Sequence, residues 1–503
     1  MSTIGANAPA DRGELALVLH SHMPYVEGFG TWPFGEEWLW EAVATVYLPL
    51  LEVLRDAPVT IGLTPVLCDQ LESLAGEAGE RFAGFISGTR AEVHAEDSAG
   101  LDRAGEDVLA GELRRAAGDY ESGLRRFDAI DRDLVGAFLA LARDGPTELW
   151  TGPATHPVLP LIASEAGVRL QLATGLASHQ RRFDGFGGGF WLPECAYAPG
   201  LERELAEHGV RGFCVDQTDA LGLGSLDQLE PIATAAGPIA VPIDWQTVAL
   251  VWDSDSGYPV GGGYRDHHRR TVHDLKPWCN AGGAYDHGAA LRLACSHAED
   301  FVGRAIARLD AYRSERGRRG LLCCALDAEL LGHWWYEGPA WLAAVLEVAA
   351  DRGLALCTLP DALERVDAVE RPLAASSWGI PKDLTTWDSP RVAELAFATR
   401  SAELRTVAAA GAVSSGHEAG NGGPPRRAPL ERAARELLAL QSSDWAFQVT
   451  RELAGDYPLS RVRDHGESLD AALAALEDSR LAVPALALRN LAPDLDLAGL
   501  IVP

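Results

Sequence analysis

The sequence predicts an α/β fold in which parallel strands, buried on both faces, close into a barrel. Three observations lead there. Short apolar runs alternate with longer stretches of helical periodicity, the pattern of βα units around a parallel sheet. The runs are continuously apolar rather than alternating, as strands covered on both faces must be. Some seven such units follow one another, which suits a closed ring better than an open sheet.

The elements follow in order. The start, MSTIGANAPADRGELALVLH, lacks a basic region ahead of a long apolar run, so it reads as a disordered lead into a strand rather than a signal peptide. Strands are predicted at LALVLH (15–20), VTIGLTP (59–65), TELWTG (147–152), RGFCVD (211–216), TVALVW (247–252), LLCCALD (321–327) and LALCTL (354–359). Helical patterns fill residues 36–55, 107–141, 200–208, 289–316 and 339–352. The long polar stretch 71–141 predicts a helical insertion between two strands. Residues 1–370 are therefore expected to form a catalytic barrel, and residues 371–503 a helical C-terminal domain. That domain is interrupted at 409–428 by AAGAVSSGHEAGNGGPPRRA, whose Gly, Ser and Pro content predicts a flexible loop. The following LERAARELLALQSSDWAF (430–447) has the spacing of one amphipathic helix.

Composition narrows the function. A chain of 503 residues is too long for one simple core. Its 72 acidic residues against 43 basic ones give a net charge of −29, which repels nucleic acid and anionic membrane faces but not neutral sugars. No apolar stretch reaches the length of a membrane span. The eight cysteines are scattered without a CxxC pair, the usage of buried thiols in a reducing cytoplasm rather than of a zinc site. A cytoplasmic monomer or small homo-oligomer is expected, with neither metal nor organic cofactor. Fourteen tryptophans are many for this length; most should be core or interface, and a subset in loops beside carboxylates would suit stacking on sugar rings.

Side chains just past the strand ends of a barrel converge on one mouth. HSHMPY puts His20 and His22 on one face of an extended segment. Without a carboxylate or cysteine nearby, the pair favours hydrogen bonding to a polar ligand over metal binding. GPATHPVLP places His156, which alone reads as structural. GGGFWLPECAY places Glu194 among aromatics, and LLCCALDAELLGHWWYEGP places Asp327 at a strand end, followed by Glu329 and His333. Glu194 could instead favour the N-terminus of the following helix, and Asp327 could cap a helix from 328. Taken together, two carboxylates beside aromatics fit glycosidic bond cleavage, in which one attacks or stabilises the anomeric carbon and the other donates a proton.

These segments resemble glycoside hydrolase family 57, and within it the 1,4-α-glucan branching group. The likeness runs through HSHMPY, ATHPVLP, WLPECAY, YRD, DAELLGHWWYEGP, SSWG and TTW to LLALQSSDWAF. It implies a distorted, TIM-like (β/α)7 barrel with a helical insertion and an α-helical C-terminal domain, acting on α-1,4-glucan of the glycogen type with retention. It implies Glu194 as nucleophile and Asp327 as general acid/base, with His20, His22 and His156 lining the donor subsite. By the same resemblance Trp278 in LKPWCN contacts substrate. Trp378 and Trp387 in SSWGIPKDLTTW close over the glucan, and Arg265 and Asp444 make further contacts. One departure stands out. The family's branching members carry a tyrosine in a loop after the nucleophile, but the corresponding segment 228–252 contains none. An α-amylase-like hydrolase is therefore the nearest alternative. A silent glucan-binding module and a deacetylase-like metalloenzyme are more distant ones.

Overall fold

The computed structural model describes residues 12–414, 427–478, 480, 481, 488 and 490–501. Its strands are β1 (Gly13–Ser21), β2 (Thr60–Leu63), β3 (Glu148–Trp150), β4 (Gly189–Phe190), β5 (Gly212–Val215), β6 (Ile232–Ala233), β7 (Ile239–Pro242), β8 (Gly320–Asp327), β9 (Ala355–Cys357) and β10 (Val369–Glu370). Seven of these form a ring in the order β1, β2, β3, β4, β5, β7, β8, with β8 back against β1. Direct parallel ladders join β1 to β2 and β8, β2 to β3, β4 to β5, and β5 to β7. Two seams are thin. A single bridge, Thr151 to Phe190, links β3 to β4. The Asp244 N–H, donating to the Cys323 carbonyl at 2.8 Å, links the end of β7 to β8. Gly189 permits the first seam, since a Cβ there would lie 1.8 Å from the Trp150 indole nitrogen. The result is the distorted (β/α)7 barrel the sequence predicts.

Side-chain parity divides each long strand between two cores. Ala16, Val18, Leu321, Cys323 and Ala325 pack inside the ring with Cys214 and Val241. Leu15, Leu17, Leu19, Leu322, Cys324 and Leu326 pack outward against the helices. Both faces are buried, which is why the strands read as unbroken apolar runs.

Three expectations need correction. Residues 247–252 are not a strand but part of a helix, Trp245–Trp252. Six apolar residues fit either state, and the strand place is taken by the preceding IAVP of β7. Residues 107–141 are not one helix. Asp107–Ala129 and Leu134–Asp144 are separated at Asp131 and Arg132, whose φ values of 53° and 65° are left-handed. The Asp133 carboxylate then caps the second helix by accepting from the Gly136 N–H. Residues 430–447 likewise divide between Arg427–Leu440 and Ser443–Thr450, broken by the extended Ser442.

Between β2 and β3 the chain runs through helices Pro65–Ser73, Glu77–Gly84, Ala91–Arg103, Asp107–Ala129 and Leu134–Asp144. After β10 come Ala393–Ser414, Arg427–Leu440, Ser443–Thr450 and Tyr457–Glu477. Helix therefore occupies both ends of the stretch 409–428 expected to be loop, and its middle, 415–426, lies outside the described residues. These helices share an apolar cluster with Tyr25, Val66, Ala154 and Leu170 of the barrel portion.

Candidate active site

The parity of the inner core carries directly to the mouth. His20 continues Ala16 and Val18, and Asp327 continues Cys323 and Ala325, so both point inward at the C-terminal ends of paired β1 and β8, where they are register partners. His22 follows two residues on, and its ring lies parallel to that of His20, 6.2 Å away. His156 and Glu194 come from loops after β3 and β4. Both sit in the left-handed region, at φ 59° and 61°, as does Cys195 at 48°. Such residues are uncommon, and surrounding contacts must hold them there. The Glu194 carbonyl accepts from the Trp378 N–H at 2.8 Å, and the His156 carbonyl accepts from the Ser443 N–H at 3.0 Å.

The Glu194 carboxylate takes a donor on each oxygen. Trp378 Nε1–H donates to Oε2 at 2.9 Å, and the Ser443 hydroxyl donates to Oε1 at 3.0 Å. Ser443 has spent its proton, so it accepts from His156 Nδ1–H at 2.9 Å. His156 Nε2 is then a lone pair, and accepts from His20 Nε2–H at 2.8 Å. Burial pushes both histidines well below the usual imidazole range, which keeps them neutral and lets this one-way chain exist. Burial also raises the Glu194 carboxyl, against which the Trp378 and Ser443 donors favour the anion.

Asp327 is arranged in the opposite way. Among the described residues it has no hydrogen-bond partner, and no capping bond to the short turn Ala328–Leu330 that it precedes. Burial, then the charges of Glu329, Glu194 and Asp444, hold it well above the ordinary carboxyl range. Glu329 is pushed to about 7, mainly by burial. It accepts from the Tyr47 hydroxyl at 2.5 Å and the His22 N–H at 3.1 Å. Tyr47 ends a π-helical turn, Val43–Tyr47, within the predicted helix 36–55. Asp444 is held at about 2. Its burial is outweighed by His22, whose Nε2 lies 2.8 Å from its Oδ2, by His156, and by a 2.5 Å bond from Ser442.

The segment carrying Trp378 crosses the mouth and is clamped from below. Lys382 Nζ reaches the fully buried Asp216 carboxylate at 2.7 Å, just past the end of β5. The Gln217 amide donates to the Ala374 carbonyl and accepts from the Ala374 N–H, each at 2.9 Å. Trp378 packs edge-on against Trp191, which stacks on His20 at 4.5 Å. On its other side Trp252 lies nearly parallel to it at 6.2 Å.

Of the predicted site residues, Glu194, Asp327, His20, His22, His156, Trp378 and Asp444 come together. Trp387 lies behind them, 4% exposed, packed against Val158 and Ala196 as core. Arg265 pairs with Glu112 and stacks on Tyr336 at 3.8 Å and Tyr285 at 4.6 Å, tying the insertion to the turn after β8. Trp278 is half-buried, with the Arg269 guanidinium 4.3 Å over its ring. Sequence reasoning missed the roles of Ser443, Tyr47, Glu329, Asp216, Lys382 and Trp252. Glu329 had a signal, its place two residues after Asp327 in a strand-end motif, and Ser443 and Lys382 lie inside the segments SSDWAF and SSWGIPKDLTTW.

His22, His156 and Asp444 offer ligand atoms within 4.8 Å of one another, a spacing that could hold a metal ion. Those atoms already satisfy each other or Ser443, so the structure needs no ion to balance them. Among the described residues no helix is long and apolar enough to cross a membrane.

The chain matches the model of glycosyl hydrolase family 57 over residues 16–373, and that of the 1,4-alpha-glucan branching enzyme C-terminal region over 408–494. It is 34% identical over 512 residues to a probable 1,4-alpha-glucan branching enzyme of Mycobacterium tuberculosis, covering 95% of each chain. A 1,4-alpha-glucan branching enzyme of Thermococcus kodakarensis is 31% identical over 507 residues, 90% of this chain and 72% of that one. Among solved structures, a GH57-type branching enzyme from Pyrococcus horikoshii superposes with a TM-score of 0.88 at 29% identity, covering 98% of this chain and 97% of that one.

Proposed function

The chain belongs to glycosyl hydrolase family 57, and from that premise we propose that it cuts α-1,4-glucan and rejoins the cut segment as an α-1,6 branch. The observation that carries the chemistry is the unlike surroundings of two carboxyls in one mouth. Burial raises both, but Glu194 has two donors that favour its anion, whereas Asp327 has no such partner and is raised well above the usual carboxyl range. Environments that push two acids apart assign their roles. Glu194 attacks the anomeric carbon while Asp327 gives its proton to the departing glycosidic oxygen. A glycosyl ester forms on Glu194, and the 6-hydroxyl of a second glucan then displaces it, losing its proton to Asp327. Two displacements at one carbon retain its configuration.

Branching rather than hydrolysis is supported by the two family models, which match successive parts of the chain, and by the relatives at both identities. Hydrolysis is the competing reading, motivated by the segment 228–252 without a tyrosine. Amylose separates them. Branching lowers iodine staining with few new reducing ends and creates isoamylase-sensitive branches, whereas reducing ends rising in step with lost staining would sink the branching reading.

The same proposal divides the chain near residue 370 into a catalytic barrel and a helical domain, supported by the separate spans of the two models. It places glycogen-type polysaccharide as the physiological substrate and the protein in the cytoplasm, where eight unpaired cysteines persist. The net charge of −29 argues against nucleic acid as a partner.

A further inference from the structure

A glycosyl ester on Glu194 has two possible fates, and which one it meets depends on whether a sugar hydroxyl or water reaches the anomeric carbon first. Trp378 and Ser443 donate to the Glu194 carboxylate, and the Trp378 ring meets a further aromatic ring beyond it. The next layer is Trp252. Its ring lies 21° from parallel to that of Trp378, and it is 44% exposed, one of few large aromatic side chains left open to solvent. Aromatic rings thus form a continuous series from His20 through Trp191 and Trp378 to the open Trp252.

Trp252 is also fixed in place. It ends the helix Trp245–Trp252, and the next residue, Asp253, pins the following turn by accepting from the Asp255 and Ser256 N–H groups at 2.9 and 2.7 Å. At the helix start, Asp244 is bonded to the Arg308 guanidinium, and its N–H makes the β7–β8 seam. Trp245 at the same end lies under Lys382, the residue that clamps the Trp378 segment. An open indole face beside Trp378 offers apolar area that a ligand would remove from water. An indole face stacks on the flat apolar face of a neutral ring, which describes a glucose unit of an incoming chain.

We propose that Trp252 is the stacking platform for the acceptor glucan and thereby a residue that decides between transfer and hydrolysis. A chain seated on it would occupy the approach to Glu194 and keep water from that side. This rests on the branching reading and deepens it.

The test uses the full chain and its Trp252→Ala and Trp252→Phe variants, with amylose as donor and added malto-oligosaccharide as acceptor. Reducing ends and isoamylase-released branches are counted together. In Trp252→Ala the ratio of hydrolysis to branching should rise about five- to tenfold, with a similar rise in the acceptor concentration for half-maximal transfer. Trp252→Phe, which keeps a flat ring, should restore most of both. Should Trp252→Ala not fold, Trp252→Leu keeps the apolar contact without the ring and carries the same expectation. An unchanged ratio overturns the proposal, as does a loss confined to the half-saturating donor concentration, which would make Trp252 a donor contact. If the unmodified protein makes reducing ends but no branches, the branching reading itself has failed, and no acceptor platform exists.

Discussion

Glu194 adopts φ 61°, a conformation costing on the order of 1–3 kcal/mol for a residue with a side chain. The geometry it gains is a carboxylate between Trp378 and Ser443, in the same mouth as an acid that burial raises well above the usual range. Glu194→Gln and Asp327→Asn should each lower turnover on the order of a thousandfold or more while leaving thermal unfolding nearly unchanged. Near-normal activity in either would show that the residue has another role. Ser443→Ala removes a donor to the Glu194 anion, so the Glu194 pKa should rise and the acid limb of kcat/KM should move to higher pH. Removing the negative neighbour in Glu329→Gln eases ionisation of Asp327, so the basic limb should move to lower pH. A pH–rate profile of the two variants checks both signs, and limbs that stay still would separate Ser443 and Glu329 from the acid–base chemistry.

At the scale of elements, the site depends on breaks in regular structure. The extended Ser442 between two helices turns Ser443 and Asp444 into the mouth, where an unbroken helix would carry them past it. The Trp378 segment stays over Glu194 because the ends of β5 and the helix Trp245–Trp252 hold it from two sides through Asp216, Gln217 and Trp245. Removing one partner of a buried ion pair leaves the other charge stranded. Lys382→Met should therefore destabilise by about 3 kcal/mol in denaturant unfolding. Adding Asp216→Asn should recover part of that loss, and additive losses would mean the pair is not coupled. This clamp escaped the sequence because its partners lie 166 residues apart and share no motif.

Across the whole molecule, the barrel mouth is completed by segments after β10. Glu194 and Asp327 come from the barrel, but Trp378, Ser443 and Asp444 come from beyond residue 373, where the match to the family 57 model ends. The helices after β10 bury Tyr25, Val66, Ala154 and Leu170. A chain ending at residue 373 should thus be inactive on amylose and bind a hydrophobic dye that the full chain does not. Soluble, active truncated protein would show that the later helices are dispensable.

The barrel was legible because a strand buried on both faces must be apolar throughout, and β1, β2, β5 and β8 announce themselves in that way. Two-residue strands such as β4 and β6 are too short to show a period, and 247–252 was misread because six apolar residues satisfy helix and strand alike. Glu194 and Asp327 were legible as charges out of place among aromatics and at the end of a strand. Local chemistry by itself therefore determined the architecture and the two acids. Tertiary structure alone decided what surrounds them, including Ser443 on Glu194, Lys382 beneath the strap, and Trp387 packed in the core. Those choices depend on which distant segments meet in three dimensions, and no local pattern of residue types encodes that meeting.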